Sequence, residues 1–294
     1  MKGIILAGGS GTRLYPLTTV TSKQLLPIYD KPMIYYPLST LMLSGIRDIL
    51  IISTPTDIHN FENLLGDGKR FGINLSYAVQ PKPEGLAQAF IIGEKFIGDD
   101  ECAMILGDNI FFGNGFSGVL ADAIQNAKEG CATIFGHYVH DPERFGIMEL
   151  DEKDNIVSVE EKPAHPKSNY CITGLYFYPK GVAKLAKIIK PSKRGELEIT
   201  TLNDMYLKEQ KLKGILLGRG YCWFDSGTVD SLVEAANFVQ MIQKRTSISV
   251  SALEEISYRR GWISKEELIE RAKYYGNSPY GKHLMNVVEK KLTY

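Results

Sequence analysis

The sequence has no excess of charge of either sign. Its 294 residues include 34 lysines and arginines and 34 aspartates and glutamates, so the formal net charge at pH 7 is zero. General attraction to nucleic acid or to an anionic membrane needs a positive field, which this balance does not supply, although a local basic pocket remains compatible with it. We therefore expect no nucleic-acid partner and no membrane partner.

Cysteines and long apolar runs are also scarce. No apolar run approaches the roughly 18 residues of a membrane span. The chain enters a predicted strand directly after Met1, which leaves no room for a signal peptide. The cysteines are widely spaced and match no zinc pattern, which predicts free thiols in a reducing compartment. They are Cys102, Cys131, Cys171 and Cys222. These features predict a cytoplasmic protein.

The first residues combine a short apolar strand with a glycine-rich turn. Residues 2–7 are typical of a buried strand, and Gly8-Gly9-Ser10-Gly11-Thr12-Arg13 follows them. Such a turn presents several backbone N–H groups to one point, and its glycines let a bulky anion approach the backbone closely. Arg13 and Lys23 add two cations nearby. The stretch therefore predicts a polyphosphate site.

Two other phosphate-binding motifs fit this turn poorly. A P-loop requires Lys followed by Ser or Thr after its last glycine, whereas Thr12 follows Gly11. The dinucleotide-binding motif requires glycine at the position of Leu14. On the glycines alone, a plain strand-to-helix turn with exposed cations remains an alternative.

Strands and helices alternate through the first half of the chain. Strands are predicted at residues 2–7, 47–53, 74–79, 102–106 and 132–137, and helices at 36–44, 58–65, 85–97 and 116–128. This alternation predicts a Rossmann-like, doubly wound α/β sheet, in which ligands bind beyond the carboxyl ends of the strands. Gly8 and Asp108 each follow such a strand end, so we expect them to share one site.

The pattern changes near residue 145. Residues 146–150 and 156–160 alternate around Asp154-Asn155, which predicts a hairpin, and residues 170–178 predict a further strand. We therefore expect a mixed sheet with a β-rich insertion at about 145–228, inside a core domain of residues 1–228. Residues 229–294 are mainly helical in pattern and follow no obvious linker, so we expect this C-terminal helical tail to pack against the core.

Eight short motifs occur in one order along the chain. The first joins the glycine-rich turn to Lys23-Gln24-Leu25-Leu26-Pro27. The others lie at residues 80–81 with 85–89, 106–109, 145–146, 160–163, 172–176, 194–200 and 223–228. Together they resemble the signature of the sugar-1-phosphate nucleotidyltransferases, and Lys-Gln-Leu-Leu-Pro most resembles the glucose-1-phosphate thymidylyltransferases. The resemblance extends over nearly the whole chain.

The resemblance implies Mg²⁺-dependent transfer of a thymidylyl group from dTTP to glucose 1-phosphate by direct in-line displacement. The products would be dTDP-glucose and pyrophosphate. Because the sugar phosphate is already anionic, no covalent protein nucleophile is needed, and positioning and cations should carry catalysis. Use of UTP or of another sugar phosphate remains an alternative, as does a nucleotide-sugar-binding regulator that has lost catalysis.

The resemblance implies that the nucleotide binds at the glycine-rich turn, where backbone amides cradle its phosphates. Arg13 would neutralise the pyrophosphate and Lys23 would contact the α-phosphate. Gln24 and Gln80 would read the base, since a carboxamide donates and accepts in one plane. The expected nucleotide-binding residues are Gly8, Gly9, Gly11, Thr12, Arg13, Gln24, Gln80, Gly85 and Asp108. The expected catalytic residues are Arg13, Lys23 and Lys162.

The resemblance also makes the insertion the sugar-binding segment. Lys162 would hold the sugar phosphate with help from Arg194, and the Glu161 carboxylate would accept hydroxyl donors. The expected sugar-binding residues are Gly146, Glu161, Lys162, Ile172, Tyr176 and Arg194. Asp108 and Asp225 would bind Mg²⁺, which commonly takes one or two carboxylates plus substrate phosphates.

A homotetramer is also implied, with a possible second dTDP-sugar site at a subunit interface. Gly115, Arg219 and Arg245 are contributors by position. The alternative is that the helical tail only packs against the core.

Overall fold

The computed structural model describes residues 1–291. Its strands are β1 (Lys2–Ala7), β2 (Pro27–Ile28), β3 (Lys31–Pro32), β4 (Asp48–Ser53), β5 (Asn74–Val79), β6 (Cys102–Leu106), β7 (Asn109–Gly113), β8 (Ala132–Tyr138), β9 (Gly146–Leu150), β10 (Ile156–Glu161), β11 (Tyr170–Tyr178), β12 (Leu212–Leu216) and β13 (Tyr221–Asp225). Its α-helices are α1 (Tyr35–Leu43), α2 (Ile58–Leu65), α3 (Gln88–Ile92), α4 (Glu94–Ile97), α5 (Phe116–Lys128), α6 (Val182–Ala186), α7 (Ile199–Lys208), α8 (Val229–Thr246), α9 (Leu253–Arg259), α10 (Lys265–Tyr275) and α11 (Pro279–Val288).

The central sheet is mixed. Its parallel half has the order β6-β1-β4-β5, and β1 is hydrogen-bonded on both sides. Antiparallel β11 extends this half beyond β6. Along the same edge it pairs with β9 at Cys171, and along its opposite edge it pairs with β8. The hairpin of β9 and β10 forms one edge, and β12 runs parallel to β8. This topology confirms the predicted mixed α/β sheet.

Helices cover both faces of the sheet, as expected for a doubly wound fold. Successive residues of a strand point to opposite faces, and Ile4 and Ile5 accordingly belong to two different buried clusters. The cluster around Ile5 includes side chains of α1, α2 and α5. The cluster around Ile4 includes side chains of α3, α6 and α7. Burial on both faces explains why residues 3–7 of β1 and 49–52 of β4 are continuous apolar runs.

A separate two-stranded ladder, which the sequence did not predict, lies beside the central sheet. It pairs β7 and β13 in antiparallel fashion, with Asn109 opposite Asp225. The N–H of Ser226 also donates to the carbonyl of Asp108 at 3.0 Å. This ladder connects two segments more than one hundred residues apart and brings Asp225 to the end of β6.

The predicted helix at residues 85–97 is wrong in part, because two short helices, α3 and α4, occupy this stretch. Gly85 has a φ of +104°, which excludes it from a helix. A Cβ built on Gly85 would lie 2.4 Å from the carbonyl oxygen of Leu197. Glycine therefore lets the loop before α3 contact Leu197 closely. The Leu197 N–H donates to Glu84 at 2.7 Å, and its carbonyl accepts from Ala87 at 3.1 Å.

Helices α8 and α9 both contact the core. Side chains of α8 are buried with Ile28 and Tyr36, and α9 lies against α1. The division at residue 228 stays a prediction, and residues 292–294 of the expected C-terminal tail lie outside the described residues. Among residues 1–291, no helix combines the length and the apolar character needed to cross a membrane.

Candidate active site

Two adjoining cavities open at the carboxyl ends of β1 and β6. The first, which we call the loop cavity, has a volume of about 190 Å³, and the second, the Lys162 cavity, of about 260 Å³. Asp108, Leu86, Leu106 and Glu196 line both cavities, so the two share a wall. The carboxyl-end location agrees with the rule for ligand sites in doubly wound sheets.

Most residues singled out from the sequence line these cavities. The loop cavity is lined by Gly8, Gly9, Lys23, Gln24, Gln80, Gly85 and Asp108. The Lys162 cavity is lined by Arg13, Asp108, Gly146, Glu161, Lys162, Ile172, Tyr176, Arg194 and Asp225. Gly11 and Thr12 line neither one. Instead the carbonyl of Gly11 accepts a hydrogen bond from the Thr18 hydroxyl at 2.7 Å, which holds the turn closed.

Asp108 lies between a cation and an amide. Lys23 Nζ donates to Asp108 Oδ2, and Asn109 Nδ2 donates to Oδ1 at 3.0 Å. Burial acts to raise the pKa of Asp108, but the Lys23 ammonium and the hydrogen bonds outweigh it and hold this pKa below its usual range. Asp108 is therefore ionised at neutral pH although it is only 6% exposed.

Asp225 shares the Lys162 cavity with Asp108 and responds to the same charges. Burial and the negative charge of Asp108 raise the pKa of Asp225 to about 6, although Lys23 and Arg13 act in the opposite direction. The guanidinium of Arg13 lies against the loop after β13, where a Cβ built on Gly227 would be 2.8 Å from Nη2. Asp108, Asp225 and Arg13 thus line the Lys162 cavity together, and the Lys23 ammonium contacts Asp108 from the loop cavity.

This donor set fits a magnesium ion bound together with a nucleotide. Within residues 1–291 no group of three or more His, Cys, Asp or Glu side chains is arranged to hold a metal ion by itself. Mg²⁺ does not require such a group, because it commonly uses one or two carboxylates and completes its shell with phosphate and water oxygens. Asp108 and Asp225 are carboxylates of this kind, facing one cavity.

Two buried carboxamides form part of the loop cavity. Gln24 is 1% exposed and accepts a hydrogen bond from the Ser22 hydroxyl at 2.5 Å. Gln80 is 4% exposed, and its oxygen lies directly over the glycine-rich turn, 2.1 Å from where a Cβ of Gly8 would be. Glycine at position 8 is therefore needed for Gln80 to reach this place.

The Lys162 cavity is dominated by a network of opposite charges. Arg194 Nη2 donates to Glu196 at 2.9 Å, to Glu198 at 3.0 Å and to Glu161 at 3.5 Å. The Lys162 ammonium lies 4.0 Å from Glu161. Lys162 has a φ of +42°, which is uncommon for a residue other than glycine and suggests a functional constraint at this position.

Several residues that line the Lys162 cavity were not among those predicted from the sequence. Asn109, Glu196, Glu198 and Thr200 are among them. The Thr200 hydroxyl donates to the Glu161 carboxylate and so orients Glu161, which is one of the residues expected to bind the sugar. All four residues stand inside the motifs already noted, so their position within those motifs is the signal that could have identified them.

Comparisons with known proteins agree with these motifs. The family model described as nucleotidyl transferase matches residues 2–241. A glucose-1-phosphate thymidylyltransferase of Neisseria gonorrhoeae is 57% identical over 290 residues, covering 99% of this chain and 100% of the relative. One from Mycobacterium tuberculosis (strain CDC 1551 / Oshkosh) is 51% identical with the same coverage.

Solved structures show the same fold. A Bacillus anthracis crystal structure, of a candidate glucose-1-phosphate thymidylyltransferase in complex with sucrose, has a TM-score of 0.75 and 43% identity. It covers 81% of this chain and 94% of that one. A UDP-glucose pyrophosphorylase complexed with UDP-glucose has a TM-score of 0.72 at 23% identity, covering 82% and 98% of the two chains, which shows the fold alone. The chain belongs to the nucleotidyltransferase family and, within it, to the glucose-1-phosphate thymidylyltransferases.

Proposed function

We propose that this enzyme transfers a thymidylyl group from dTTP to glucose 1-phosphate. A phosphate oxygen of the sugar phosphate forms a bond to the α-phosphorus, and the bond from that phosphorus to the bridging oxygen breaks as pyrophosphate leaves. The observation that carries this proposal is that Asp108, at the carboxyl end of β6, lines both cavities. Two substrates bound in adjoining cavities would meet there, as direct displacement between them requires.

On the nucleotide side, the base would occupy the loop cavity beside Gln24, Gln80 and Gly85. Backbone N–H groups of the glycine-rich turn would bind the phosphates. The Lys23 ammonium, already held by Asp108, would stabilise the charge that develops on the α-phosphate. Arg13 would face the departing pyrophosphate.

On the sugar side, Lys162 would bind the phosphate of glucose 1-phosphate. The Glu161 carboxylate, oriented by Thr200, would accept hydrogen bonds from sugar hydroxyls. Arg194 would help to hold the phosphate after it exchanges carboxylate partners for phosphate oxygens. Gly146, Ile172 and Tyr176 would shape the apolar wall of this cavity.

We propose Mg²⁺ as the cofactor, held by Asp108 and Asp225. When bound, the ion would offset the negative charge of the triphosphate and of the two carboxylates. The surroundings of these carboxylates support the assignment, because burial and the negative charge of Asp108 together raise the pKa of Asp225 and so favour a cation between the two.

The test is a pyrophosphate-release assay over a matrix of nucleotides and sugar 1-phosphates. We expect the highest kcat/KM with dTTP and glucose 1-phosphate. A higher kcat/KM with UTP or with another sugar phosphate would overturn the substrate assignment. Absence of pyrophosphate release with every pair would indicate a nucleotide-sugar-binding regulator instead.

We also propose a cytoplasmic homotetramer with a core of residues 1–228 and a second dTDP-sugar site at a subunit interface. Free cysteines agree with a reducing compartment. A further cavity of about 240 Å³ lies where β7 and the α8–α9 connection meet, and its lining includes Phe112 and Val250. Gly115, Arg219 and Arg245 do not line that cavity.

A further inference from the structure

A chain of hydrogen bonds fixes the orientation of the base-facing carboxamide of Gln80. Gln80 Nε2 donates to Gln88 Oε1 at 2.7 Å. Gln88 Nε2 in turn donates to the Glu84 carboxylate at 2.8 Å, and the Glu84 backbone N–H donates to Gln88 Oε1 at 3.1 Å. We call Glu84 and Gln88 the carboxamide relay.

The relay has one allowed direction. An ionised carboxylate can only accept hydrogen bonds and a backbone N–H can only donate them. Glu84 supplies both groups, so Gln88 must direct its nitrogen to the carboxylate and its oxygen to the N–H. The same oxygen faces Gln80, which must therefore direct its own nitrogen to Gln88. A flip of either carboxamide would oppose donor to donor or acceptor to acceptor.

The consequence appears in the loop cavity. With its nitrogen fixed toward Gln88, Gln80 keeps its oxygen over Gly8, and within residues 1–291 this oxygen accepts no hydrogen bond. In the described part of the chain, Nε2 donates to Gln88 alone, so its second amide proton is unused. Gln80 therefore offers an acceptor and a donor side by side in a fixed order.

That order matches one class of pyrimidine. Thymine and uracil carry an N3–H donor next to carbonyl acceptors, so their edge pairs with the Gln80 oxygen and with its remaining N–H. Cytosine has an acceptor at N3 and a donor amino group at C4, which would oppose like groups at both positions. A freely rotating carboxamide could flip to suit cytosine, but the relay prevents this flip. Gln24 lacks such a lock, because its partner is the Ser22 hydroxyl, which can donate or accept.

We propose that Glu84 and Gln88 are positioning residues that make the enzyme reject cytosine nucleotides by holding Gln80 in one orientation. The inference rests on the proposed nucleotide site and names the groups that set its selectivity. It concerns thymine and uracil together, since both bases carry the same hydrogen-bonding edge.

The experiment measures Kd values for dTTP, dUTP and dCTP by calorimetry, without a sugar phosphate. In Gln88→Met the relay is broken with little change in side-chain volume, and we expect the preference for dTTP over dCTP to fall about tenfold or more, since buried like groups are then no longer forced together. The ratio of dTTP to dUTP affinity should stay unchanged.

The matched control exchanges the two relay side chains. In the E84Q/Q88E double variant the carboxylate at position 88 accepts from Gln80 and from both groups of residue 84, so the lock is retained. We expect this variant to keep the native dTTP-to-dCTP ratio. The proposal would be overturned if Gln88→Met kept the native ratio of dTTP to dCTP affinity. It would also be overturned if the exchange variant lowered this ratio as much as Gln88→Met does.

Glu84→Ala provides a second disruption, at an exposed position, in case Gln88→Met does not fold. This variant removes the carboxylate and should lower the ratio of dTTP to dCTP affinity about threefold or more. A native ratio in Glu84→Ala would contradict the role of the relay. Failure of the proposed function would look different. The native protein would then release no pyrophosphate from dTTP and glucose 1-phosphate, whatever its affinities for the three nucleotides.

Discussion

The side-chain oxygen of Asn109 accepts a hydrogen bond from Trp223 Nε1 at 2.6 Å, across the ladder of β7 and β13. The same oxygen accepts from the Gly174 N–H at 3.0 Å, while the amide nitrogen donates to Asp108. Asn109 is 1% exposed. It thus joins β7, β11 and β13 directly behind Asp108, which lines both cavities.

We expect Asn109→Asp to lower both stability and turnover. The substitution removes the donor to Asp108 and sets a second carboxylate beside it, and an unpaired buried group costs about 1–3 kcal/mol. Urea unfolding and kcat measure the two effects. Asn126→Asp is the control, because the Asn126 amide bonds Thr133 away from both cavities. An equal loss of kcat in the control would contradict a specific role for Asn109.

Gly8→Ala should weaken nucleotide binding without unfolding the protein. The added Cβ would lie 2.1 Å from Gln80 Oε1, so the Gln80 side chain must leave its place over the turn. We expect the KM for dTTP to rise at least about tenfold, the equivalent of about 1.4 kcal/mol. Gly118→Ala is the matched control, because no atom lies within 4 Å of a Cβ built on Gly118 in α5. A native KM in Gly8→Ala would show that Gln80 does not need this position.

Lys162→Met should raise the KM for glucose 1-phosphate and leave the KM for dTTP within about twofold. The variant keeps the aliphatic stem and removes one charge expected to face the sugar phosphate, and a charge-assisted hydrogen bond contributes about 1.5–3 kcal/mol. Lys167→Met removes a neighbouring lysine that instead pairs with Glu149 at 3.7 Å. If both variants alter the sugar KM to the same extent, Lys162 has no specific role.

Chelation of divalent cations should abolish pyrophosphate release, and added Mg²⁺ should restore it. Asp225→Asn removes one of two carboxylates, so the Mg²⁺ concentration for half-maximal activity should rise at least about tenfold. Asp122→Asn, at an exposed position of α5, is the control. Full activity of the native enzyme in excess chelator would rule out a metal between Asp108 and Asp225.

The partly buried side chain of His137 should make the stability of the protein depend on pH. Burial lowers the pKa of His137, and a hydrogen bond to the Leu217 backbone offsets this only in part. The unfolded chain, with a histidine pKa of about 6.5, therefore takes up the proton more readily. The contribution of neutral His137 is complete above that pH and is lost as the pH falls below it. The free energy of unfolding, measured in urea between pH 5 and 8, should show this loss in the native protein and not in His137→Gln. Parallel pH curves for the two proteins would contradict the prediction.

The parallel half of the sheet could be predicted from the sequence because its strands are buried on both faces. Residues 49–52 and 102–106 are unbroken apolar runs, as is typical of strands that are covered on both faces. The ladder of β7 and β13 could not be predicted, since its strands are more than one hundred residues apart and short strands do not encode their partner. The proximity of Asp225 to Asp108 depends on that ladder, so the residues alone could not predict it.

The members of the site were predictable from the motifs, but their local partners were not. Lys23 and Asp108 were both expected at the site, yet their direct contact depends on side-chain conformation. Arg194 was expected to face a phosphate, whereas in the structure three carboxylates surround it. The relay through Gln88 depends on the loop conformation that Gly85 permits. Helical spacing had instead predicted one continuous helix that included Gly85.

The close contact of Leu197 with the loop before α3 bears on attempts to broaden the enzyme's range of products. Residues 194–198 supply charged side chains to the Lys162 cavity, while the Leu197 backbone bonds Glu84 and Ala87 beside the loop cavity. A library of substitutions in this segment, made to admit new sugars, would also move the residues that hold Gln80. Selections for a new sugar and for a new base should therefore not be run independently and combined afterwards, because their effects will not add.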